Sequence, residues 1–377
     1  MIVLAIESTC DETGASIVRG DENGVEVLSN VVASSIDLVK KYGGVVPEVA
    51  AREQVASIVP VIQEAIEQIS NFKLSPACRQ AGISNIEAIA VTRGPGLMGS
   101  LLVGVETAKV LSLAWNKPLI GVNHMVGHVA ANWIVKELGI KSQESRIPTL
   151  PAVALIVSGG HTDLYYVKSL KNWEWVGGTR DDAAGEAFDK AAKILGLPYP
   201  GGPSIQRAAE EYRVKPCLPA GRSQELRSKL PRPMIGEDNL EMSFSGLKTA
   251  LAKAVGSPSF AKASEGSSRE RNVSILAREF NQAVVDVLVA KTMKAVERFG
   301  VRTVLVAGGV AANTLLRKNL ESRILNLAGV ELYIPEFKYC TDNAAMIGAA
   351  AILKPEYVNV SDLRAEPGLE ISYLFCV

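Results

Sequence analysis

The chain opens on a strand, a polar turn and a second strand, IVLAIESTCDETGASIV over residues 2–18. The same plan returns as AVALIVSGGHTDLYYV over residues 152–167. Later in each half comes a strand, a glycine loop and a helix: IEAIAVTRGPGLMGSLLVGVETAK at 86–109 and VRTVLVAGGVAANTLLRKNL at 301–320. Short β-branched runs bounded by glycine and polar residues mark the strands. One order of elements used twice predicts a duplication, carried by element order because the two halves share little sequence. A length of 377 residues also exceeds what one ordinary core accommodates, so two domains are expected.

This plan resembles the actin/Hsp70/sugar-kinase (ASKHA) arrangement, in which two related α/β domains grip a nucleotide between them. The expected division is 1–130 and 131–352, with 353–377 returning to the first domain. A dinucleotide-binding dehydrogenase is disfavoured, because no GxGxxG follows the first strand. Within the first half, Val55, Ile58, Val59, Ile62, Ile66 and Ile69 recur at helical spacing, predicting a helix over 47–69 with a kink at Pro60. Three stretches, SPACRQAG (75–82), KPCLPAGRSQ (215–224) and SPSFAKASEGSS (257–268), lack apolar periodicity and read as surface insertions.

Composition excludes several classes. A hydrophobic fraction of 47% with 21% charged residues describes a globular chain. No uninterrupted apolar run reaches the ~18 residues of a membrane span. The start, MIVLAIESTCDET, lacks the basic segment and cleavage site of a secretory leader. Five widely spaced cysteines without a CxxC predict reduced thiols and a cytoplasmic protein. Forty basic residues balance forty acidic ones, so any nucleic-acid partner must be held by a local patch. Residues 213–232 offer Arg213, Lys215, Arg222, Arg227, Lys229 and Arg232 against Glu225, a patch for phosphates or simply a solvated loop.

The chain has only three histidines, and all lie beside glycine-bearing segments: His124 and His128 in GVNHMVGHVAAN, His161 in VSGGHT. On a helix, His124 and His128 point from one face and can share a metal ion; two hydrogen-bonded histidines in a helix turn are the alternative. A zinc protease is disfavoured, because Met125 follows His124 where HExxH carries its general base. A two-histidine site needs another ligand, for which Asp342 in YCTDNAAMIGAAA is the candidate. On local grounds the stronger reading is an N-cap, with Thr341 or Asp342 capping the helix that follows. The paired glycines of VSGGHT and VAGGVAAN leave backbone N–H groups open to an anion, as a nucleotide phosphate requires. Asp189, on the helix of GEAFDKAAKIL, could accept from ribose hydroxyls; taken alone it reads as a solvated helix face.

Together, IESTCDETGASIV, GGVVPEVAAREQ, VTRGPGLMGSLLVGVETAK, NHMVGHVAAN, VSGGHT, DDAAGEAFDKAAKILGLPYPGGP, FSGLKTA, NQAVVDVLVAKT, AGGVAAN and YCTDNAAMIG resemble the TsaD family, the tRNA threonylcarbamoyladenosine transferases once named O-sialoglycoprotein endopeptidases. The resemblance runs colinearly along nearly the whole chain outside the three insertions. It implies that His124, His128 and Asp342 ligate one divalent ion, Fe2+ in the first place and Zn2+ in the second. It implies substrate contacts at Val157, Ser158, Gly159, Gly160, His161, Asp189, Gly202 and Asn313, and a catalytic role for Asp11. Four residues after Gly202 the family often carries Asp, whereas this chain has Gln206. The implied reaction moves a threonylcarbamoyl group from threonylcarbamoyl-AMP to N6 of the adenosine 3′ of the tRNA anticodon. The implied partners are tRNA and, in bacteria, TsaB and the ATPase TsaE, with no membrane. Two rivals remain. An actin-fold ATPase or kinase needs no histidine pair. A non-catalytic scaffold like the shorter paralogue TsaB lacks the NHMVGH motif.

Overall fold

A computed structural model describes residues 1–35, 46–71, 85–137, 147–214, 229–256 and 267–371. The insertions at 75–82 and 215–224 lie outside the described residues, and of 257–268 only the last two positions are described, as the start of a helix.

In the first sheet, β1 (Ile2–Glu7), β2 (Glu12–Asp21) and β3 (Gly24–Ser34) form an antiparallel meander. On the other side of β1 lie β4 (Ala88–Gly94) and β5 (Leu119–Asn123), both parallel to it. β6 (Ile134–Glu137) closes one edge beside β3. The second sheet repeats the plan. β7 (Ala152–Val157), β8 (Thr162–Ser169) and β9 (Asn172–Gly178) form the meander, with β10 (Thr303–Ala307) and β11 (Glu331–Tyr333) parallel beyond β7. The duplication expected from the sequence is thus present as strand order. β12 (Tyr357–Val358) returns the chain to the first sheet, pairing antiparallel with β5.

The central strands are buried on both faces, which is why they read as continuous apolar runs. In β1, Leu4 and Ile6 face Ile58 and Ile62 of α1 (Pro47–Asn71), while Val3 and Ala5 face α9 (Ala344–Leu353). In β7, Val153, Leu155 and Val157 face α7 (Ser267–Phe299). Its other face, Ala152, Ala154 and Ile156, meets Met125 and Val129 of α3 (His124–Ala130). The remaining helices are α2 (Met98–Trp115), α4 (Ala184–Leu195), α5 (Gly201–Val214), α6 (Ser245–Val255) and α8 (Thr314–Leu325). Helix α2 has the length and apolar character of a membrane span. It carries Glu106 and Lys109 and buries Leu101, Val105 and Ala108 against the first sheet.

Helix α3 therefore lies between the two sheets, and α9 lies against the first sheet and α3 together. Every residue of α9 from Ala344 to Ile352 is buried, and most are small. Space explains the composition. A Cβ on Gly348 would stand 2.4 Å from Val18 Cγ2, and one on Gly127 of α3 would stand 2.7 Å from Ile347 Cδ1. These contacts bring α9 close to both neighbours.

Gly348→Ala adds a methyl group against the stiff Val18 side chain. Its overpacking cost of about 1–3 kcal/mol exceeds the helix-propensity gain of up to ~1 kcal/mol. A lowered urea midpoint in equilibrium unfolding is the expected result.

Candidate active site between the two sheets

Asn123 ends β5 and caps α3, its Oδ1 accepting from the Met125 and Val126 N–H groups. His124 and His128 therefore start one turn apart on a short, firmly capped helix. Their rings sit 4.6 Å apart at 74°, so the two approach a common point from different sides. Asp342 comes from the segment leading into α9. Its Oδ1 lies 3.4 Å from His124 Nε2 and 3.3 Å from His128 Nε2. The three ligand atoms lie within 4.8 Å of one another.

The local expectation that Thr341 or Asp342 caps α9 is corrected by the structure. Asn343 is the cap, with Oδ1 accepting from Met346 N–H. The capping position falls one residue later, which leaves the Asp342 carboxylate free to face the histidines. The fit to a cation rests on His128. It is 1% exposed, and among the described residues neither Nδ1 nor Nε2 makes a hydrogen bond of good geometry, Nε2 meeting only the Asp342 carboxylate at 3.3 Å. A buried imidazole left this way is costly unless something else takes a lone pair. Two imidazoles and one carboxylate are a donor set for a divalent transition metal.

The electrostatics follow the same geometry. Burial alone would depress the His124 imidazole, but the Glu7 and Asp342 carboxylates outweigh it and raise it to about 10. Burial lowers His128. His161 is pushed down to about 4 by burial and by the nearby charges of His124 and His128, which brings it within electrostatic range of the cluster. Burial would raise Asp342, but the two histidines hold it well below the usual carboxylate range. Asp11 is raised by burial and by Asp342, and Glu12 is raised to about 7, mainly by burial.

Asp11 sits in the turn between β1 and β2, and α1 stiffens that turn. Gln54 Nε2 donates to the carbonyls of Ser8, Cys10 and Glu12 at 3.4, 3.2 and 3.1 Å. Val157 ends β7, and Ser158, Gly159, Gly160 and His161 form the turn into β8, closed by Ser158 N–H to His161 O at 2.8 Å. Gly159 and Gly160 are exposed, with open space where a Cβ would stand. The second glycine loop, from β10 into Gly309–Ala312, lies beside the first because β7 and β10 are parallel neighbours. Gly308 adopts φ +93° there, and a Cβ would meet Val157 O at 2.4 Å.

Asp189 is not a solvated helix face. It is partly buried, and its Oδ1 accepts from Gly201 N–H at 2.7 Å, fixing the start of α5. Gly202 follows with open space around it. Asn313 caps α8 through Oδ1 and donates through Nδ2 to Asn281 Oδ1 at 2.8 Å, leaving one amide hydrogen uncommitted. Gln206 is tied to the same helix end, its Oε1 accepting from Thr314 N–H at 3.1 Å. The structure thus gathers His124, His128, His161, Asp342 and Asp11 around one cluster, and places the two glycine loops side by side. Of the basic stretch 213–232, Lys215, Arg222 and Arg227 fall outside the described residues. Arg232 is taken up by Glu279 and Asp286 at 2.5 and 2.9 Å, so it is not a free phosphate ligand.

The profile of the TsaD family, described as tRNA N6-adenosine threonylcarbamoyltransferase, matches residues 26–349. The chain belongs to the TsaD family. The Bacillus subtilis (strain 168) tRNA N6-adenosine threonylcarbamoyltransferase is 45% identical over 376 residues, covering 99% of this chain and 96% of the relative. The Thermomicrobium roseum protein of the same name is 45% identical over 384 residues, covering 98% and 95%. Among solved structures, T. kodakarensis HypF superposes with a TM-score of 0.50 at 14% identity, over 91% of this chain and 48% of HypF. That likeness is one of fold. It agrees with the duplicated, actin-like α/β architecture of this TsaD-family chain.

Glu12 gives the site a measurable pH signature. Its carboxyl rises from the ordinary 4.5 to about 7 on folding. Between those values the unfolded chain holds fewer protons than the native one, so this group makes stability fall as pH rises. Glu12→Gln is expected to be more stable than the parent near pH 8 by about 1–3 kcal/mol, with the gain vanishing near pH 4. Urea unfolding at the two pH values checks both halves of the statement.

Proposed function

We propose that this chain transfers the threonylcarbamoyl group of threonylcarbamoyl-AMP to N6 of the adenosine 3′ of the anticodon in tRNAs reading codons that begin with A. The products are t6A and AMP. The carrying observation is the His124–His128–Asp342 cluster, set at the junction of the two sheets, with the two glycine loops of the second sheet side by side.

The exocyclic amine of adenine is a poor nucleophile, because its lone pair is delocalised into the ring. His124, His128 and Asp342 would hold a divalent ion, Fe2+ in the first place and Zn2+ in the second, which when bound would supply Lewis-acid activation of the carbonyl and neutralise the adenylate phosphate. The chain does the rest by positioning. The open backbone around Ser158, Gly159 and Gly160 receives the adenylate, with Val157 and His161 flanking it. Asp189 keeps one oxygen on Gly201 N–H and offers the other to a ribose hydroxyl. Asn313 offers its uncommitted amide hydrogen, and Gly202 leaves room beside it. As the new C–N bond forms and the anhydride C–O bond to phosphate breaks, the proton leaving N6 passes to Asp11, whose raised carboxyl suits a general base.

A neutral chain holds tRNA weakly by itself, because non-specific affinity scales with the phosphates neutralised. We assign the missing surface to partners of the TsaB and TsaE type, acting with this chain in the cytoplasm. Helices α1 and α2 support that assignment. They leave Val55, Val59, Val110 and Leu113 exposed at 65%, 55%, 63% and 69%. A like helix pair of a paralogue would cover such a face.

Purified protein with threonylcarbamoyl-AMP and unmodified tRNA is expected to form t6A slowly alone and much faster with the two partners, read by nucleoside mass spectrometry. Leu113→Glu should abolish the stimulation without changing the slow reaction. Asp189→Ala should weaken AMP by about 1–3 kcal/mol in calorimetry. No t6A under any combination would exclude the transferase activity.

A further inference from the structure

Glu7 is the last residue of β1 and is 0% exposed. A carboxylate removed from water in this way persists only where hydrogen bonds and an opposite charge compensate it. The hydrogen bonds can be traced. Oε1 accepts from Thr9 N–H at 2.7 Å, and Oε2 accepts from the Thr92 hydroxyl. Both donors are neutral. Among the described residues its one ion-pairing contact is His124, whose Nδ1 lies 3.3 Å from Oε2.

That contact fixes more than a charge. Against an ionised carboxylate, which only accepts, Nδ1 is the nitrogen that would carry the proton, and the Thr9 hydroxyl stands 3.4 Å from the same nitrogen. The opposite ring nitrogen, Nε2, is then the one turned toward Asp342, at 3.4 Å. His128 has no counterpart to this support, since its Nδ1 has no hydrogen-bond partner. The cluster is therefore built asymmetrically: both histidines meet Asp342, but only His124 is also anchored to the first sheet through a buried carboxylate.

We propose that Glu7 is the positioning residue of the metal centre, holding the His124 ring with Nδ1–H directed into the sheet so that Nε2 is the nitrogen presented to the cation. It touches neither substrate nor cation. Thr9 and Thr92 fix the carboxylate, and the carboxylate fixes the ring. A carboxylate behind a ligating imidazole also raises the basicity of the metal-bound nitrogen. The inference rests on the reading of His124, His128 and Asp342 as a cation site, and binding in the parent protein is measured first for that reason.

Apo-protein is titrated with Co2+ alone, without tRNA or nucleotide, following both affinity and the visible spectrum. The parent is expected to bind one Co2+. Glu7→Gln should bind it 10–100-fold more weakly, the usual cost of losing such a partner, with an altered visible spectrum. Thr92→Val removes a neighbouring hydrogen bond to the same oxygen but leaves the contact with His124. Its affinity should fall between the parent's and that of Glu7→Gln. Should Glu7→Gln fail to fold, long-range proton–nitrogen spectra of the Zn2+-loaded parent decide the matter, with the proton expected on His124 Nδ1 and the metal on Nε2. A parent that binds no metal overturns the cation site itself. A parent that binds normally while folded Glu7→Gln matches it in affinity and spectrum, or a His124 ligated through Nδ1, overturns the role of Glu7.

Discussion

Helices α3 and α9 cross so closely that Gly127 has no room for a side chain beside Ile347, while Gly348 seats α9 just as tightly on Val18 of the first sheet, and the rest of the site depends on that packing. One helix begins with His124 at the end of β5; the other follows Asp342 after a polar turn. Neither carries a complete ligand set. Their packing brings Asp342 Oδ1 within 3.4 Å of one histidine and 3.3 Å of the other, at a point buried between two sheets. The cost of gathering these polar groups is met by apolar packing around them, since α9 is buried along its whole length and α3 packs toward both sheets. The second sheet then adds the second component: two glycine loops brought side by side by the parallel pairing of β7 and β10.

Much of this was legible in the sequence because it is written locally. The β1–β2 and β7–β8 hairpins show as β-branched runs around polar or glycine turns, and the histidine pair shows as a four-residue spacing on a short helix. What local pattern did not carry was set by long-range contacts. The cap of α9 was expected at Thr341 or Asp342, yet Asn343 takes it. Three polar residues in a row all suit a cap, and only the position of α3 decides which one is needed elsewhere. Glu7 carries no local signal, because it ends an apolar strand and reads as the start of a polar turn. Its meaning appears only when His124, far along the chain, packs against it. Asp189 read as a solvated face because its partner, Gly201 N–H, belongs to the next helix. In α1, Val55 and Val59 share the helical periodicity of Ile58 and Ile62, but they face outward. Periodicity reports an apolar stripe and not whether it meets the protein's own core or a partner.

Asp11, Glu12 and Asp342 approach one another around the cleft, and burial raises two of the three while the histidines lower the third. The imbalance separates a strongly held anion, suited to ligation, from carboxyl groups raised above their ordinary range, suited to moving a proton. The most direct test of this account is anomalous diffraction from crystals loaded with Zn2+, with data collected on both sides of the zinc edge. The account predicts a single strong peak per chain, about 2.0–2.2 Å from His124 Nε2, His128 Nε2 and an Asp342 oxygen. A fully loaded protein with its peak elsewhere, or with no zinc at these three residues, would contradict it.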